Sequence, residues 1–248
     1  MTDVFPPRGP SFLKGRGFSI GTDAILLYHF SCRCRGARTV DLGCGSGVIG
    51  ILLALDSPAR SVTAVDFDPE AAEAARANAA LNGLGDRFTV VQGDLRECRR
   101  LWPAGSFDLA VMNPPYYALS TGKLPVSPAA AAARSEAICT LEDACRAASW
   151  SVRWGGRFCV VYKPERLAEL LVRLHDAGLE PKRLRFVQPR ADQAPNLVLV
   201  ESVRGGRQGV AVEAPLLLAE ADGSPGREAA EMYRRLGSLN AGADKGGT

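Results

Sequence analysis

Residues 40–47 read Val-Asp-Leu-Gly-Cys-Gly-Ser-Gly, and this glycine-rich stretch decides the fold class. It overlaps the β-forming pair Thr39 and Val40 and precedes an apolar run from Val48 to Leu55, so the pattern predicts a strand, a tight turn and a helix. Glycine in such a turn accepts positive φ angles and lets a ligand approach the backbone. The stretch therefore predicts a ligand-binding loop at the carboxyl end of a buried strand.

Two classes of ligand suit this loop. Gly45, Gly47 and Gly50 fit the dinucleotide pattern G-x-G-x-x-G, and Asp66 follows about 20 residues later, where an acid would bind a ribose. A nicotinamide-dependent dehydrogenase is therefore one hypothesis. Asp41 argues against it, because a pyrophosphate about 4 Å away would be repelled by roughly 4 kcal/mol at an effective dielectric of about 20. S-adenosylmethionine has no phosphate and carries a cationic ammonium and sulfonium, so Asp41 favours this cofactor.

The composition suits a cytosolic α/β protein. A chain of 248 residues can bury a sizeable core in one domain. The seven cysteines are scattered and contain no C-x-x-C pair, so we expect reduced thiols and no metal site. No apolar run approaches the roughly 20 residues that cross a bilayer, so we expect a cytoplasmic protein without membrane contact. The sequence does not determine the oligomeric state, and we favour a monomer.

Strands and helices are predicted to alternate along the chain. The predicted strands cover 39–42, 61–65, 88–92, 107–112, 157–162, 182–187 and 196–202, and the predicted helices cover 23–30, 47–55, 70–82, 141–150, 164–177 and 228–236. This order predicts an α/β fold with a doubly wound, mostly parallel seven-stranded sheet, whose ligands bind at the carboxyl ends of the strands.

The ends of the chain and one long connection are predicted to lie outside this regular pattern. We expect an irregular basic arm at 1–21, a single domain at 22–239 and a flexible tail at 240–248. Residues 1–38 carry six basic and two acidic side chains, a charge excess that could face phosphate. Residues 117–134 form a long Ser, Pro, Gly and Ala segment, which we expect to act as a substrate-side loop.

Four predicted strands end in a carboxylate or an amide, which places these groups at one edge of the sheet. Asp41 should face the methionine ammonium of the cofactor, directly or through water. Asp66 can accept from both ribose hydroxyls, and Asp94 can accept from the adenine amino group. Asn113 ends the fourth strand. The convergence of these groups predicts the cofactor site.

Asn113 also begins the motif Asn-Pro-Pro-Tyr, formed with Pro114, Pro115 and Tyr116. The prolines stiffen the backbone, while the Asn113 side-chain oxygen and the Pro114 carbonyl are neighbouring acceptors. An exocyclic or carboxamide NH2 is a poor nucleophile because its lone pair is delocalised. Two acceptors that bind its protons would aim that lone pair at the methyl group, and Tyr116 could stack on a flat substrate. The motif predicts methyl transfer by in-line displacement, in which positioning supplies much of the rate.

Together the glycine loop and Asn-Pro-Pro-Tyr resemble the Rossmann-like class I S-adenosylmethionine-dependent methyltransferases of the "small domain" group. The chain is most similar to the bacterial family that methylates N6 of adenosine 37 in tRNA1(Val). Residues 18–27, Phe-Ser-Ile-Gly-Thr-Asp-Ala-Ile-Leu-Leu, look like that family's segment before the first strand. The end of the chain is also similar, with Ala-Pro-Leu-Leu-Leu at 214–218, Asp-Gly at 222–223 and a helix that holds Tyr233.

The resemblance implies that the cofactor is S-adenosylmethionine, with S-adenosylhomocysteine as product, and that the partner is tRNA. It implies a catalytic motif at 113–116 and a cofactor site built from Thr22, Asp23, Asp41, Gly43, Gly45, Gly47, Asp66, Phe67, Asp94, Leu95 and Asn113. A basic rim that binds RNA is expected to include Lys14, Arg16, Arg134, Lys182 and Arg190, and Tyr117 is expected to contact the RNA beside them.

Two other functions stay open. Asn-Pro-Pro-Tyr also occurs in protein glutamine N5-methyltransferases that act on release factors; these usually carry a helical domain ahead of the fold, whereas only about 35 residues precede the first predicted strand here. A non-catalytic RNA-binding module that keeps the fold is the alternative from another class. The complete set of Asp41, Asp66, Asp94 and Asn113 argues against that module.

Overall fold

A computed structural model describes residues 2–4, 9–13, 20–33, 38–57, 60–114 and 139–239. Eleven strands lie in these ranges: β1 (Thr2–Val4), β2 (Ser11–Leu13), β3 (Arg38–Leu42), β4 (Ser61–Asp66), β5 (Phe88–Gln92), β6 (Phe107–Met112), β7 (Val152–Tyr162), β8 (Leu179–Gln188), β9 (Leu197–Arg204), β10 (Ala211–Val212) and β11 (Leu216–Leu217). The α-helices in the same ranges are α1 (Thr22–Ser31), α2 (Val48–Asp56), α3 (Pro69–Leu81), α4 (Cys98–Leu101), α5 (Leu141–Ser151), α6 (Leu167–Asp176) and α7 (Arg227–Leu236). None of these helices is long and apolar enough to cross a membrane.

The main sheet has the strand order β10-β8-β9-β7-β6-β3-β4-β5, and β11 also pairs with β8. Strands β5, β4, β3, β6 and β7 are parallel to their neighbours in that run, whereas β9 is antiparallel to both β7 and β8. The predicted doubly wound, mostly parallel sheet is therefore confirmed. The seven predicted strands are all present, and the two short strands β10 and β11 extend the sheet beside β8.

The side chains of β3 point alternately to the two faces of the sheet, which determines the core that each of them enters. Val40 and Leu42 are fully buried in the core that contains the apolar faces of α5 and α6. Successive side chains of a strand point to opposite faces, so Asp41 points to the other core, which contains α1 and α2. This alternation places a carboxylate in an apolar layer, directly behind the glycine loop.

Part of the N-terminal segment, which the sequence predicts to be irregular, forms regular structure. Strands β1 and β2 pair in antiparallel fashion. Helix α3 holds β2 through two asparagines: Asn82 Oδ1 accepts from the Ser11 amide at 3.0 Å, and Asn78 Oδ1 accepts from the Leu13 amide at 2.8 Å. Phe12 is buried between them, 2% exposed. The pairing depends on a helix almost 70 residues later in the chain, which local sequence patterns do not reveal.

The sequence predicts two capped helix starts, one at Gly21-Thr22-Asp23 and one at Asp68-Pro69, and the two have different outcomes. Asp68 caps α3 as predicted, because its side chain accepts from the Glu70 amide at 2.9 Å and Pro69 is the first helical residue. The start of α1 differs from the predicted capping sequence. Its N-cap residue is Gly21, which supplies no side-chain acceptor, and the Asp23 carboxylate lies over the first turn.

Candidate active site

The carboxyl ends of three strands are tied together by backbone hydrogen bonds. The Cys44 amide, in the glycine loop after β3, donates to the Val65 carbonyl of β4 at 2.9 Å. The Gly93 amide, after β5, donates to the Asp66 carbonyl at 2.9 Å. These bonds bring the loops after β3, β4 and β5 side by side, which is the arrangement that the strand-end acids predict.

The glycine loop is the predicted turn between a strand and a helix. Gly43, Gly45 and Gly47 have φ angles of 65°, 54° and 83°, a region that residues with a Cβ rarely adopt. A Cβ on Gly47 would also lie 3.2 Å from the Cβ of Ala75 in α3. The loop therefore depends on glycine both for its backbone conformation and for close packing against α3.

Asp66 shapes this loop with both carboxylate oxygens. Its Oδ2 accepts from the Gly45 amide at 2.8 Å, and its Oδ1 accepts from the Asp68 amide at 3.0 Å. The side chain is 8% exposed, and burial raises the pKa of Asp66 although the amide donors oppose this rise. Each carboxylate oxygen has more than one lone pair, so the predicted contact with ribose hydroxyls is compatible with these bonds.

Asp41 lies deeper than its neighbours and is 1% exposed. Its Oδ2 accepts from the Gly50 amide of α2 at 2.8 Å, while its Oδ1 is buried without a hydrogen-bond partner among the described residues. A Cβ on Gly50 would lie 3.0 Å from Asp41 Oδ2, so glycine permits this approach. This burial argues against direct contact with the methionine ammonium. The geometry instead favours a buried charge that acts on the loop from behind.

Asp41→Asn is expected to stabilise the ligand-free protein at pH 8 and to have little effect at pH 4. Burial raises the pKa of Asp41 to about 7, the Gly50 amide opposes the rise and Asp66 adds to it. Because the unfolded value is about 3.9, the folded state binds the proton more tightly, and the free energy of unfolding falls as the pH rises from about 4 to 7. The full penalty, at most about 4 kcal/mol, is present above that window.

Thermal unfolding of the wild type, Asp41→Asn and the exposed control Asp86→Asn at pH 4, 6 and 8 measures this effect. Asp86 lies in a surface turn, so its variant should follow the wild type. If the melting temperatures of Asp41→Asn and of the wild type changed in parallel from pH 4 to pH 8, the pKa of Asp41 would not be raised in the folded protein.

Asp94 is held by its neighbour Arg96. The Arg96 amide donates to Asp94 Oδ1 at 2.9 Å, and the guanidinium Nη2 lies 2.5 Å from Oδ2. These hydrogen bonds lower the pKa of Asp94. The predicted contact with the adenine amino group therefore requires the carboxylate to share an oxygen with Arg96. Of the other two predicted neighbours of the cofactor, Leu95 is buried, whereas Phe67 is 41% exposed beside Asp66.

Asn113 and Asp23 meet at the end of β6, although 90 residues separate them in the chain. The Asn113 Nδ2 donates to Asp23 Oδ2 at 3.0 Å, and Asp23 Oδ1 accepts from the Ala24 amide at 2.9 Å. A carboxylate accepts hydrogen bonds and does not donate them. This contact therefore turns the amide nitrogen toward Asp23 and directs the Asn113 oxygen to the other side.

The family resemblance implies that Asp23 lies beside the cofactor, but the sequence does not reveal its contact with Asn113. The start of α1 allows this contact because a Cβ on Gly21 would lie 2.1 Å from Asp23 Oδ1. Tyr233 of α7 reaches the same place, since its hydroxyl lies 3.5 Å from Thr22 Oγ1. The pairing of a glycine with an acid two residues later is the only local signal of this arrangement.

Only part of the predicted substrate side falls within the described residues. Pro114 is buried at the end of β6, whereas Pro115, Tyr116, Tyr117, Arg134, Lys14 and Arg16 lie outside the described residues. Arg190 follows β8 at the carboxyl edge, where it pairs with Asp192 at 3.1 Å. Lys182 lies near the start of β8, toward the opposite edge, and donates to the carbonyls of Arg207 and Gly209. This position argues against a role for Lys182 at the substrate rim.

The residues present fit S-adenosylmethionine better than a phosphate-bearing nucleotide. Asp66 accepts from the Gly45 amide and so places a carboxylate beside the glycine loop. The buried Asp41, one oxygen of which has no partner among the described residues, adds to this negative charge when it is ionised. A pyrophosphate would be repelled there, whereas a cationic cofactor would be attracted. This charge pattern disfavours the dehydrogenase hypothesis.

Comparisons with known proteins identify related methyltransferases. The methyltransferase small domain family matches residues 15–128. The tRNA1(Val) (adenine(37)-N6)-methyltransferase of Aeromonas hydrophila is 33% identical over 187 residues, 75% of this chain and 77% of that protein. The enzyme of the same name from Porphyromonas gingivalis is 30% identical over 207 residues, 81% of this chain and 80% of that protein.

A solved structure supports the fold independently. The predicted O-methyltransferase from Agrobacterium tumefaciens has a TM-score of 0.71 at 22% sequence identity, with 86% of this chain and 96% of that chain covered. At this identity the likeness concerns the fold alone. From the sequence relatives, the chain belongs to the tRNA1(Val) (adenine(37)-N6)-methyltransferase family of the small-domain group and is an S-adenosylmethionine-dependent methyltransferase.

Proposed function

We propose that this enzyme methylates the exocyclic N6 of adenine in tRNA, with adenosine 37 of tRNA1(Val) as the target. The names of its relatives support this substrate. The observation that carries the proposal is the 3.0 Å contact between Asn113 and Asp23, because it presents an amide oxygen as an acceptor at the sheet edge. An acceptor in this position suits an NH2 substrate.

The enzyme activates the amine by holding it in a fixed orientation. The Asn113 oxygen and the Pro114 carbonyl accept hydrogen bonds from the two protons of the N6 group, which weakens the delocalisation of its lone pair into the ring. The lone pair is then available for in-line attack, and correct placement of the two reactants lowers the barrier. The proton that the amine loses after transfer passes to solvent, so no histidine or cysteine is needed.

Other residues of the chain hold the methyl donor. S-adenosylmethionine supplies an electrophilic methyl group whose carbon–sulfur bond breaks as the carbon–nitrogen bond forms, leaving the neutral thioether of S-adenosylhomocysteine. Asp66 binds the ribose and fixes the Gly45 amide, and Phe67 covers the adenine. Asp41 holds the Gly50 amide behind the loop.

Asp66→Ala is expected to weaken S-adenosylhomocysteine binding by about 100-fold or more. The substitution removes acceptors for two ribose hydroxyls and the bond to the Gly45 amide, and hydrogen bonds to a charged group contribute about 1.5–3 kcal/mol each. Isothermal titration of the wild type and Asp66→Ala measures the change, with Asp68→Ala as control because Asp68 caps α3. If the Kd of Asp66→Ala for S-adenosylhomocysteine is within about threefold of the wild-type value, Asp66 does not bind the ribose.

Incubation with labelled cofactor and tRNA transcripts, followed by nucleoside digestion and mass spectrometry, tests the function. The expected product is N6-methyladenosine in tRNA1(Val), absent from a transcript in which adenosine 37 is replaced by guanosine. A release factor in a parallel reaction tests glutamine methylation. Label in the release factor with none in RNA would overturn the proposal in favour of that reaction, and cofactor binding without transfer to either would favour a non-catalytic module.

A further inference from the structure

A groove lined by arginines runs beside the site along α5. It encloses about 520 Å³ between α4, α5 and the ends of α6 and β9. Its charged lining residues are Arg96, Arg99, Arg146, Arg204 and Asp143. These four guanidinium groups are opposed by Asp143 within the groove and Asp94 beside it, so the described residues leave a positive charge that attracts anions.

The groove connects the active-site edge of the sheet with the opposite edge. At one end, Arg96 lies four residues after the last residue of β5, and Asp143 lies in the first turn of α5. At the other end, Arg204 is the last residue of β9, which runs antiparallel to β7. The lining residues of α5, from Asp143 to Trp150, span about 10 Å of the helix. This length exceeds a single phosphate or carboxylate and suits a polymer.

The wall of the groove combines oriented guanidinium groups with an aromatic side chain. The Arg99 guanidinium lies 5.1 Å from the ring centroid of Trp150, whose Nε1 donates to the Trp102 carbonyl at 3.0 Å. Arg204 Nη1 donates to the Val152 carbonyl at 2.7 Å. A ring and a carbonyl orient these two cations without neutralising them, whereas Asp94 and Asp143 pair with Arg96 and Arg146.

We propose that this groove binds the sugar–phosphate backbone of the RNA strand that flanks the target adenine. Guanidinium groups in a row match successive phosphates bidentately, and phosphate contacts fix the register of a nucleic acid without reading its sequence. The inference rests on the proposed RNA substrate. It assigns RNA binding to α4, α5 and β9, elements outside the basic N-terminal arm and outside the catalytic motif.

Binding of fluorescent tRNA to the full chain, with S-adenosylhomocysteine present and at several salt concentrations, tests the inference. We expect Arg99→Glu and Arg146→Glu each to weaken tRNA binding by about tenfold or more, and Arg99→Ala to reduce the salt dependence by about one released ion. The matched control is Arg100→Glu, because Arg100 is adjacent to Arg99, 82% exposed and outside the groove. S-adenosylhomocysteine affinity and melting temperature establish that each variant is folded.

The outcomes separate this inference from the proposed function. If the Arg99→Glu and Arg146→Glu variants bind tRNA as tightly as the Arg100→Glu variant, the groove does not bind RNA. This result would overturn the inference even if the wild type forms N6-methyladenosine. Loss of release-factor binding in these variants, with tRNA binding equal to the control, would also overturn it and assign the surface to protein. A wild type that binds tRNA through the groove but forms no N6-methyladenosine would contradict the proposed function and support the groove.

Discussion

Asn113→Ala is expected to lower the rate of methyl transfer by about 10³-fold or more while the Kd for S-adenosylhomocysteine stays near that of the wild type. The Asn113 oxygen binds the amine most strongly when its lone pair is turned toward the methyl carbon, so the lost interaction belongs to the transition state. Removal of one such oriented polar group costs about 10²–10³-fold in other enzymes, and loss of the substrate's orientation adds to this cost. Single-turnover kinetics with tRNA measure the rate.

A matched control distinguishes this role from a general effect on the sheet edge. Gln92 is the last residue of β5 and is an exposed amide at the same edge, so Gln92→Ala should retain near-normal turnover. Titration with S-adenosylhomocysteine verifies that both variants bind cofactor. Turnover of Asn113→Ala within about tenfold of the wild type would show that the amide does not assist the transition state.

Local patterns were sufficient to predict the frame that carries the site. The glycine loop, the strand ends at Asp41 and Asp66 and the Asp68 cap are each determined by residues within a few positions of one another. The alternation of strands and helices then fixes the edge at which ligands bind. For this reason the sheet and the convergence of strand-end acids followed from the sequence.

The sequence did not predict the directions of individual side chains. Asp41 was expected to face the cofactor, but the alternation along β3 and the packing of α2 turn its carboxylate toward the Gly50 amide. Asp94 was expected to be available to adenine, but its oxygens bind Arg96. Both outcomes depend on which neighbour offers a donor at close range, which tertiary packing decides.

Local sequence patterns also do not predict the groove or the contact of Asp23 with Asn113, because both features join distant parts of the chain. The groove is formed by elements from four parts of the chain, and Asp23 reaches Asn113 across 90 residues. A pattern can mark Asp23 as a residue near the first strand, but only the packing of α1 on the face of the sheet that holds Leu109 and Val111 of β6 brings the two side chains together.

Asp23→Ala is expected to lower kcat by about 10²-fold with little change in cofactor affinity. Without the carboxylate, the Asn113 amide can rotate and present its nitrogen, a donor, toward the substrate amine, and a small misplacement of a positioning group costs about this much. Asp23→Asn should retain more activity, because its side-chain oxygen can still accept from Asn113. Steady-state kinetics with tRNA and titration with S-adenosylhomocysteine measure the two effects separately.

Two further comparisons distinguish this positioning role from a direct cofactor contact. If Asp23 acts through Asn113, adding Asp23→Ala to Asn113→Ala should cause almost no further loss, since residues that act as a unit are not additive. Gly21→Ala should reproduce part of the Asp23→Ala defect, because the new Cβ would meet Asp23 Oδ1 at 2.1 Å and displace the carboxylate from Asn113. A large rise in the Kd for S-adenosylhomocysteine in Asp23→Ala, with kcat unchanged at saturating cofactor, would instead assign Asp23 to cofactor binding.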